Sequence, residues 1–430
     1  MTLSDIDFGV VACDQAMSTE QLSAELQSFS GSKRDSLKTT AIPTRKTESW
    51  KYSAKRLKLA ESYPVASNDT NGSQTHTYQA SYKLDCYTVV ISNNQLQSDL
   101  PEISGISLKS FADLSDSEGK QVISGVIAQS EHLVFANANA AYLQNGLYLN
   151  IEKNALIDKP VKVVFQHKGL GNSFPRLFVN LESGSSLTLI EEVVSETNAI
   201  DTTTSLINSV CDIQVGDNAK LQYLRMNLDQ AACKHLAATG IALQRDARLE
   251  SYCMYLGNDL SRHDLLVKML APGAECDLNG ICVTKDQQHI DAHTCIEHIA
   301  PNCTSNETYR CIADNQSQIV FNGRIYIHPH AQKTSGSMSN KNLLLSSKAE
   351  IDSKPELEIY ADDVKCAHGT TIGQLDETEL YYLQTRGIPH EQAKLMLTLG
   401  FVLEVVRATP IESIADFWEQ QLSEILSFEA

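Results

Sequence analysis

Apolar and polar positions follow three patterns in turn along the chain. In residues 1–145 the pattern is helical or mixed, and Leu22 and Leu26 have helical spacing. In residues 146–374 short alternating runs are separated by polar turns, which is typical of β-strands. Helical spacing returns in residues 375–430. The sequence therefore predicts an N-terminal helical or mixed domain, a β core and a C-terminal helical domain with these bounds.

A short motif recurs through the β core, in which a turn is followed by a small residue and then by the apolar start of a strand. Successive motifs are 27 to 34 residues apart, except for one interval of 43. This spacing predicts the turns of a β-solenoid, each of which buries its apolar face against its neighbours. A β-sandwich stays open as the alternative, although its turns usually recur about every 8–12 residues. The motif occurs at 154–156, 185–187, 219–221, 247–249, 274–276, 317–319 and 349–351.

Helix start and stop signals divide the C-terminal region into three helices. Asp376 and Glu379 are typical of a helix start, and Gly387 is typical of its end. Pro389 begins a second helix, and a third is predicted over 411–426. The apolar faces of these helices either pack on the β core or bind a partner, and the pattern leaves both interpretations open.

Composition and charge narrow the classes of function. The net charge is −18 and no sustained lysine or arginine stripe is found, which argues against nucleic-acid binding. No apolar run reaches the roughly 18 residues of a membrane span, and the acidic N-terminus does not look like a secretory signal. The 11 cysteines include no C-x-x-C motif, so a disulfide scaffold is not expected. We expect a cytoplasmic protein that does not interact with membranes.

The strongest candidate for chemistry is the pair Cys366 and His368, at the end of the alternating run 357–369. On a strand, side chains two residues apart leave the same face, about 7 Å from each other. A thiolate beside an imidazole suits iron, zinc, copper(I) or an iron–sulfur cluster. A buried structural cysteine next to a structural histidine is the competing interpretation.

A second polar strand carries another set of metal-ligand types. His289, Asp291, His293, Cys295 and Glu297 alternate along it and share one face. We take His289, His293 and Cys295 as candidate metal ligands. The solvent-facing side of a solenoid turn would also be polar, so this face does not by itself require a metal.

Common enzymatic signatures are missing from the sequence. There is no P-loop for ATP hydrolysis, no G-x-S-x-G for a serine nucleophile and no G-x-G-x-x-G dinucleotide motif. No pair of carboxylates stands out for glycoside hydrolysis. We therefore expect a protein that is not an enzyme.

Five further motifs stand out along the chain: PTRK at 43–46, FNGR at 321–324, KPELEIYADDVKCAHG at 354–369, TIGQLD at 371–376 and YLQTRGI at 382–388. Together they resemble the SufB/SufD family of iron–sulfur cluster assembly proteins. The resemblance spans nearly the whole chain and is densest between 289 and 402. It points to the SufD-type members, because the chain has C-x-H-G at 366–369, where SufB-type members have a Glu-His-Glu type sequence, and lacks their N-terminal cysteine motif.

The resemblance implies a fold and a role. The fold would be a right-handed parallel β-helix between helical segments, and the role that of a non-catalytic scaffold. A SufB-like chain would pair with the β-helix, and a SufC-like ATPase would bind the C-terminal helices near Tyr382 and Arg386. Cys366 and His368 would face the SufB interface and handle iron or a transient iron–sulfur cluster shared with SufB. A homodimer in isolation is also compatible with the resemblance.

Two other classes of protein stay open at this point. A homo-oligomeric β-helix that binds or stores metal would use the face that includes His289, His293 and Cys295. A carbohydrate-active β-helix enzyme would need an acidic cleft, which the sequence does not indicate.

Overall fold

Most of the chain folds into strands of similar length that follow one another closely. The computed structural model describes residues 2–6, 22–59, 78, 80–97, 100–168, 171–196, 205–228 and 233–427. The strands are β1 (Tyr87–Ser92), β2 (Gln95–Leu96), β3 (Ile106–Ser110), β4 (Leu147–Ile151), β5 (Val161–Lys168), β6 (Gly171–Ser173), β7 (Arg176–Leu181), β8 (Ser186–Glu196), β9 (Ser205–Val215), β10 (Lys220–Asn227), β11 (Lys234–Leu243), β12 (Arg248–Leu256), β13 (Leu260–Met269), β14 (Glu275–Thr284), β15 (His289–His298), β16 (Thr304–Ala313), β17 (Gln318–Ile327), β18 (Thr334–Leu344), β19 (Glu350–Ile359) and β20 (Val364–Gly373). The helices are α1 (Ala24–Leu37), α2 (Asp116–Ile123), α3 (Val134–Ala141), α4 (Glu377–Thr385), α5 (His390–Ala408) and α6 (Glu412–Ile425).

The strands form two sheets, and from β7 onward consecutive strands alternate between them. The first sheet has the order β2-β1-β5-β8-β10-β12-β14-β16-β18-β20. The second has the order β19-β17-β15-β13-β11-β9-β7-β4-β3, with β6 beside β9. Neighbours from β8 to β20 are parallel and in continuous register. The chain thus winds as a parallel β-helix, which confirms the predicted solenoid.

One corner of the solenoid repeats a left-handed backbone conformation in turn after turn. The residue in that conformation is followed by a small side chain packed inside the corner, and Ser185, Ala219, Ala247 and Ala274 are fully buried. Backbone bonds then link successive corners, such as Asn218 N–H to the carbonyl of Arg245 at 2.8 Å. The residues with positive φ at this corner are Asn154, Gly184, Asn218, Asp246, Gly273, Asn302 and Lys333.

This corner explains the recurring motif and its one long interval. Leu221, Leu249 and Cys276 are in register on the first sheet, whereas Ile319 and Ile351 are in register on the second. The 43-residue interval is therefore where the motif passes from one corner of the solenoid to another.

The helical regions cover opposite outer faces of the solenoid. Helices α5 and α6 place Val402, Ile414 and Trp418 against the outer face of the first sheet, where Met254 and Ile281 lie. The N-terminal elements cover the second sheet with Trp50, Phe135 and Phe111, among other side chains. Of the two interpretations left open for the C-terminal helices, packing on the β core is thus observed.

The helix boundaries agree with the sequence in the C-terminal region and differ from it further upstream. Gly387 has a φ of 85° between α4 and α5. The sequence also predicts a helix over 117–134. In the structure helix α2 ends at Ile123, and residues 124–133 are not helical; there Asp212 accepts hydrogen bonds from the backbone N–H groups of Ile127 and Ala128. None of the described helices is long and apolar enough to cross a membrane.

Candidate functional site

The C-terminal end of the solenoid is open. Strands β19 and β20 each pair with one neighbour, β17 and β18 respectively, so each leaves an outer backbone edge free of strand partners among the described residues. Large apolar side chains are exposed there: Ile359 at 40%, Tyr360 at 57% and Ile372 at 49%. An exposed full-length edge with apolar side chains is a surface to which another strand can add.

Cys366 and His368 lie on β20 and share the face that continues the interior of the solenoid. Their register partners on β18 are Gly336 and Met338, both of which are buried. Cys366 packs directly beside Gly336, since a Cβ at Gly336 would lie 3.6 Å from Cys366 Sγ, an ordinary van der Waals distance. Cys366 is half-buried, which raises the pKa of its thiol, whereas His368 is exposed. The structure thus brings both predicted residues together at the open end.

A polar network lies beside this pair. Asn340 Oδ1 accepts hydrogen bonds from Ser353 Oγ at 2.7 Å and from Asn342 Nδ2 at 2.6 Å. Ser353 also bonds with Thr370, which follows His368 by two residues on the same face. The open end is therefore lined by hydroxyl, amide, thiol and imidazole groups inside an apolar rim.

Tyr382 and Arg386 form a pair on the exposed side of α4. The Arg386 guanidinium lies 5.2 Å from the centre of the Tyr382 ring, and its Nη2 donates to the phenol oxygen at 3.3 Å. Tyr381, which precedes Tyr382 on α4, is also exposed, and so is Met396 on α5. An exposed group of aromatic and apolar side chains on packed helices is typical of a protein-binding surface.

His289 is buried under the N-terminal segment on the outer face of the second sheet. Ser53 Oγ donates to Asp291 Oδ2 at 2.5 Å and lies 2.8 Å from His289 Nε2. This arrangement makes Nε2 the protonated nitrogen of a neutral His289. Burial lowers the pKa of His289 to about 4, so the ring is neutral at physiological pH.

Asp291 is the centre of a buried ionic cluster. Arg262 Nη1 donates to its Oδ2 at 2.7 Å, and His293 Nε2 lies 2.8 Å from its Oδ1. Burial opposes ionisation, but Arg262 and His293 outweigh it and hold the pKa of Asp291 well below its usual range. Arg262 also stacks on Trp50, with 4.2 Å between guanidinium and ring centre. The cluster therefore fixes the N-terminal segment to the second sheet.

His293 and Cys295 line a cleft beside this cluster, and His289 does not. Burial, with the nearby Glu297 carboxylate, raises the pKa of the Cys295 thiol to about 12. Among the residues that the structure describes, no group of three or more His, Cys, Asp or Glu side chains is arranged to hold a metal ion. Two of the three predicted ligands are thus close together, while the third is bonded to Ser53.

The sequence did not single out Arg262 or Ser53. Ser53 and Asp291 are 238 residues apart in the chain, and no local pattern connects them. The only sequence signals near Ser53 were the PTRK motif and Trp50. They marked the N-terminal segment but did not indicate that it contacts the second sheet.

Comparison with known proteins yields one family and several relatives. The family model described as "SUF system FeS cluster assembly, SufBD core domain" matches residues 164–401. The iron-sulfur cluster assembly protein SufD of Escherichia coli is 28% identical over 380 residues, or 87% of each chain. A SufBD family protein of Synechocystis is 31% identical over 76% of this chain and 73% of its own. The chloroplastic protein ABCI7 of Arabidopsis thaliana is 26% identical over 94% of this chain and 86% of its own.

Proposed function

The chain belongs to the SufBD family of iron–sulfur cluster assembly proteins, and we propose that it is a SufD-type, non-catalytic scaffold subunit. In this role it pairs with a SufB-type chain and binds a SufC-type ATPase. The observation that carries the proposal is the open end of the solenoid, where two parallel edges, an apolar rim and the Cys366–His368 pair coincide. Such an end is incomplete in isolation, because apolar side chains and strand edges favour further burial.

Pairing at this end would place Cys366 and His368 between the two chains. Iron or the nascent cluster is the cargo of the complex, shared transiently with the partner and not kept by this chain alone. His368 is the better candidate ligand because an exposed imidazole can bind a metal ion near neutral pH, whereas a thiol must first lose its proton. Cys366 is the second candidate, since its raised pKa keeps it protonated until a metal displaces the proton.

The C-terminal helices are suited to transmit movement from the ATPase. Tyr382 on α4 and Arg386, which directly follows this helix, form the docking surface in this proposal. Helix α5 is tied to the solenoid by the apolar contacts of Val402 and Val405 and by the ion pair of Glu404 with Arg310 on β16. Closure of two ATPase subunits would therefore move each solenoid with its helices and change the geometry of the paired ends.

A metal-storage protein is the second candidate function. His293 and Cys295 share one cleft, which favours it, and such a protein would bind metal without an ATPase partner. The similarity to proteins named SufD, from Escherichia coli and Bacillus subtilis, favours the scaffold.

Co-purification of the tagged chain with its SufB-type and SufC-type partners under anaerobic conditions tests the proposal. Ile372→Lys should weaken pairing with the SufB-type chain at least about tenfold, because a charge would be buried in the apolar rim. Leu156→Lys is the matched control, since Leu156 is 76% exposed and lies before β5, far along the solenoid from β20.

The ATPase should still co-purify with Ile372→Lys and should be lost with Tyr382→Ala. Normal SufB pairing by Ile372→Lys, or recovery of the wild-type chain without either partner, would contradict the scaffold assignment.

A further inference from the structure

A cleft of about 470 Å³ runs along the solenoid axis between the second sheet and the N-terminal segment. Its floor is formed by six neighbouring strands of the second sheet, β9, β11, β13, β15, β17 and β19, and extends from Asn208 to Lys354. Five spacings between strands, at about 4.8 Å each, make it about 24 Å long. Residues 48–50 and 132–136 form the opposite wall. A cleft of this length matches about seven residues of extended chain, at about 3.3 Å per residue.

The two ends of the cleft differ in polarity. Trp50, Phe135, Leu236 and Leu266 form an apolar part over β11 and β13. Towards β19 the lining is charged and includes Glu297, which makes the cleft amphipathic along its length. An occupant needs apolar side chains at one end and charged side chains at the other.

The charged part of the cleft carries more negative than positive groups. Five carboxylates line it against three lysine and arginine side chains. Arg262 and Arg324 are each bound to carboxylates, and Lys354 is shared between Glu48 and Glu356. Among the described residues, Glu297 has one basic neighbour within 4 Å, His328 at 3.5 Å. The surplus favours a basic occupant over an acidic one.

The cleft leads to the open end of the solenoid. Its last strand, β19, is the edge strand of the second sheet. A smaller cavity of about 270 Å³ shares Glu48, His293 and Lys354 with it and extends to Ile372 on β20. A chain docked on the open end is therefore adjacent to the entrance of the cleft.

We propose that this axial cleft binds an extended peptide segment with basic and apolar side chains, supplied by the chain that docks on the open end. The segment lies across the second sheet, with its apolar side chains near Trp50 and its basic side chains near Glu297 and Glu356. The source of the segment rests on the proposed function, whereas the peptide chemistry rests on the cleft alone.

Trp50 provides a direct readout on the isolated full-length chain. The only other tryptophan, Trp418, is fully buried in the C-terminal helices, so a ligand-dependent change in emission reports on the cleft. We expect a saturable change with an eight-residue peptide of four leucines followed by four lysines, and none with the peptide of four leucines followed by four glutamates. The double variant Glu297→Gln, Glu356→Gln should bind the basic peptide at least about tenfold more weakly. Glu419→Gln, on the exposed side of α6, should bind like the wild type.

The same response to both peptides, or no response to either, would overturn the inference.

A photo-crosslinker placed at Ser49 in the purified complex identifies the source of the segment, and it should label the SufB-type chain. Labelling of another chain, or of none, would overturn that assignment. Co-purification with the partners in the absence of peptide binding would refute the cleft and leave the scaffold role intact. Peptide binding without co-purification would refute the scaffold role and leave the peptide-binding cleft intact.

Discussion

His368 and Cys366 are the residues in which the proposed role can be tested most directly. We expect His368→Ala to reduce cluster formation on the purified complex at least about tenfold, because the exposed imidazole is the better ligand. Cys366→Ala should have a smaller effect. Cluster content is measured by absorbance and iron analysis after anaerobic reconstitution. His330→Ala, an exposed histidine in the loop between β17 and β18, is the control. Wild-type cluster content in His368→Ala would exclude the ligand role.

Glu307 makes the stability of the protein depend on pH. It lies inside the solenoid on β16, where Oε1 accepts a hydrogen bond from Thr294 at 2.6 Å and Oε2 has no partner among the described residues. Burial raises its pKa to about 7, so the folded state holds the proton above the pH at which the unfolded chain releases it. Stability contributed by the protonated form is present below the unfolded pKa of about 4.5 and is lost as the pH rises to about 7.

Glu307→Gln should therefore stabilise the protein at pH 8 by about 3 kcal/mol and change little at pH 4.5. Urea unfolding at the two pH values measures this difference. Glu419→Gln, an exposed carboxylate, should show no such dependence. Equal effects of Glu307→Gln at both pH values would mean that the carboxyl group is ionised in the folded state.

At the residue scale, alternation along a strand predicted which side chains share a face but not what covers them. His289, Asp291 and His293 point to the outer face of the second sheet, as their spacing requires. Their partners Ser53 and Arg262 come from distant parts of the chain, and tertiary packing alone brings them together. The sequence could therefore predict the face but not the buried ionic cluster.

At the element scale, the repeated corner carries one residue that does not suit its backbone. Lys333 has a φ of 58°, whereas the other residues of this corner with positive φ are Asn, Asp or Gly. The left-handed conformation costs an ordinary side chain about 1–2 kcal/mol. The lysine side chain is exposed, so its removal loses little packing.

Lys333→Gly should raise the free energy of unfolding by about 0.5–1 kcal/mol, after the greater entropy of glycine in the unfolded chain is included. Asn302→Gly, one turn earlier, should change stability much less because asparagine tolerates this conformation. Chemical unfolding of the two variants and the wild type provides the measurement. A destabilised Lys333→Gly would show that the lysine side chain makes a contact worth more than the strain.

The same corner shows how much of the solenoid was visible in the sequence. Small residues recur because the inside of the corner has no room for larger ones, and this produced the spacing that predicted the fold. The two-sheet alternation could not be read from the spacing, because the motif marks both corners with similar residues. The C-terminal helix ends were predicted well because they depend on local signals such as Gly387.

At the scale of the whole molecule, the C-terminal helices are part of the structural core. Side chains such as Val405, Phe417, Trp418 and Leu422 pack with the outer face of the first sheet. Removal of residues 376–430 would expose that face to water. At about 1.5–3 kcal/mol per buried apolar side chain, we expect a loss of about 10 kcal/mol or more.

The truncated chain should therefore aggregate and bind a hydrophobic dye, as size-exclusion chromatography and dye fluorescence would show. Tyr382→Ala should remain monodisperse, since Tyr382 is 56% exposed. A monodisperse truncated chain with an unchanged unfolding temperature would mean that these helices form an independent domain. For this reason point variants on α4, and not truncation, are the appropriate test of ATPase docking.

The unequal ends of the solenoid also limit how many copies can join. At the N-terminal end of the described sheets, the outermost strands are β2, with 2 residues, and the antiparallel β3, with 5. At the other end, β19 and β20 each offer a parallel edge of 10 residues. When two chains join through these long edges, the long edges of each chain are covered by those of the other. Only the short edges then remain, and they offer few backbone groups for binding a third chain. Under the proposed pairing, growth would stop at a closed pair, and the exposed edges would not seed a fibre.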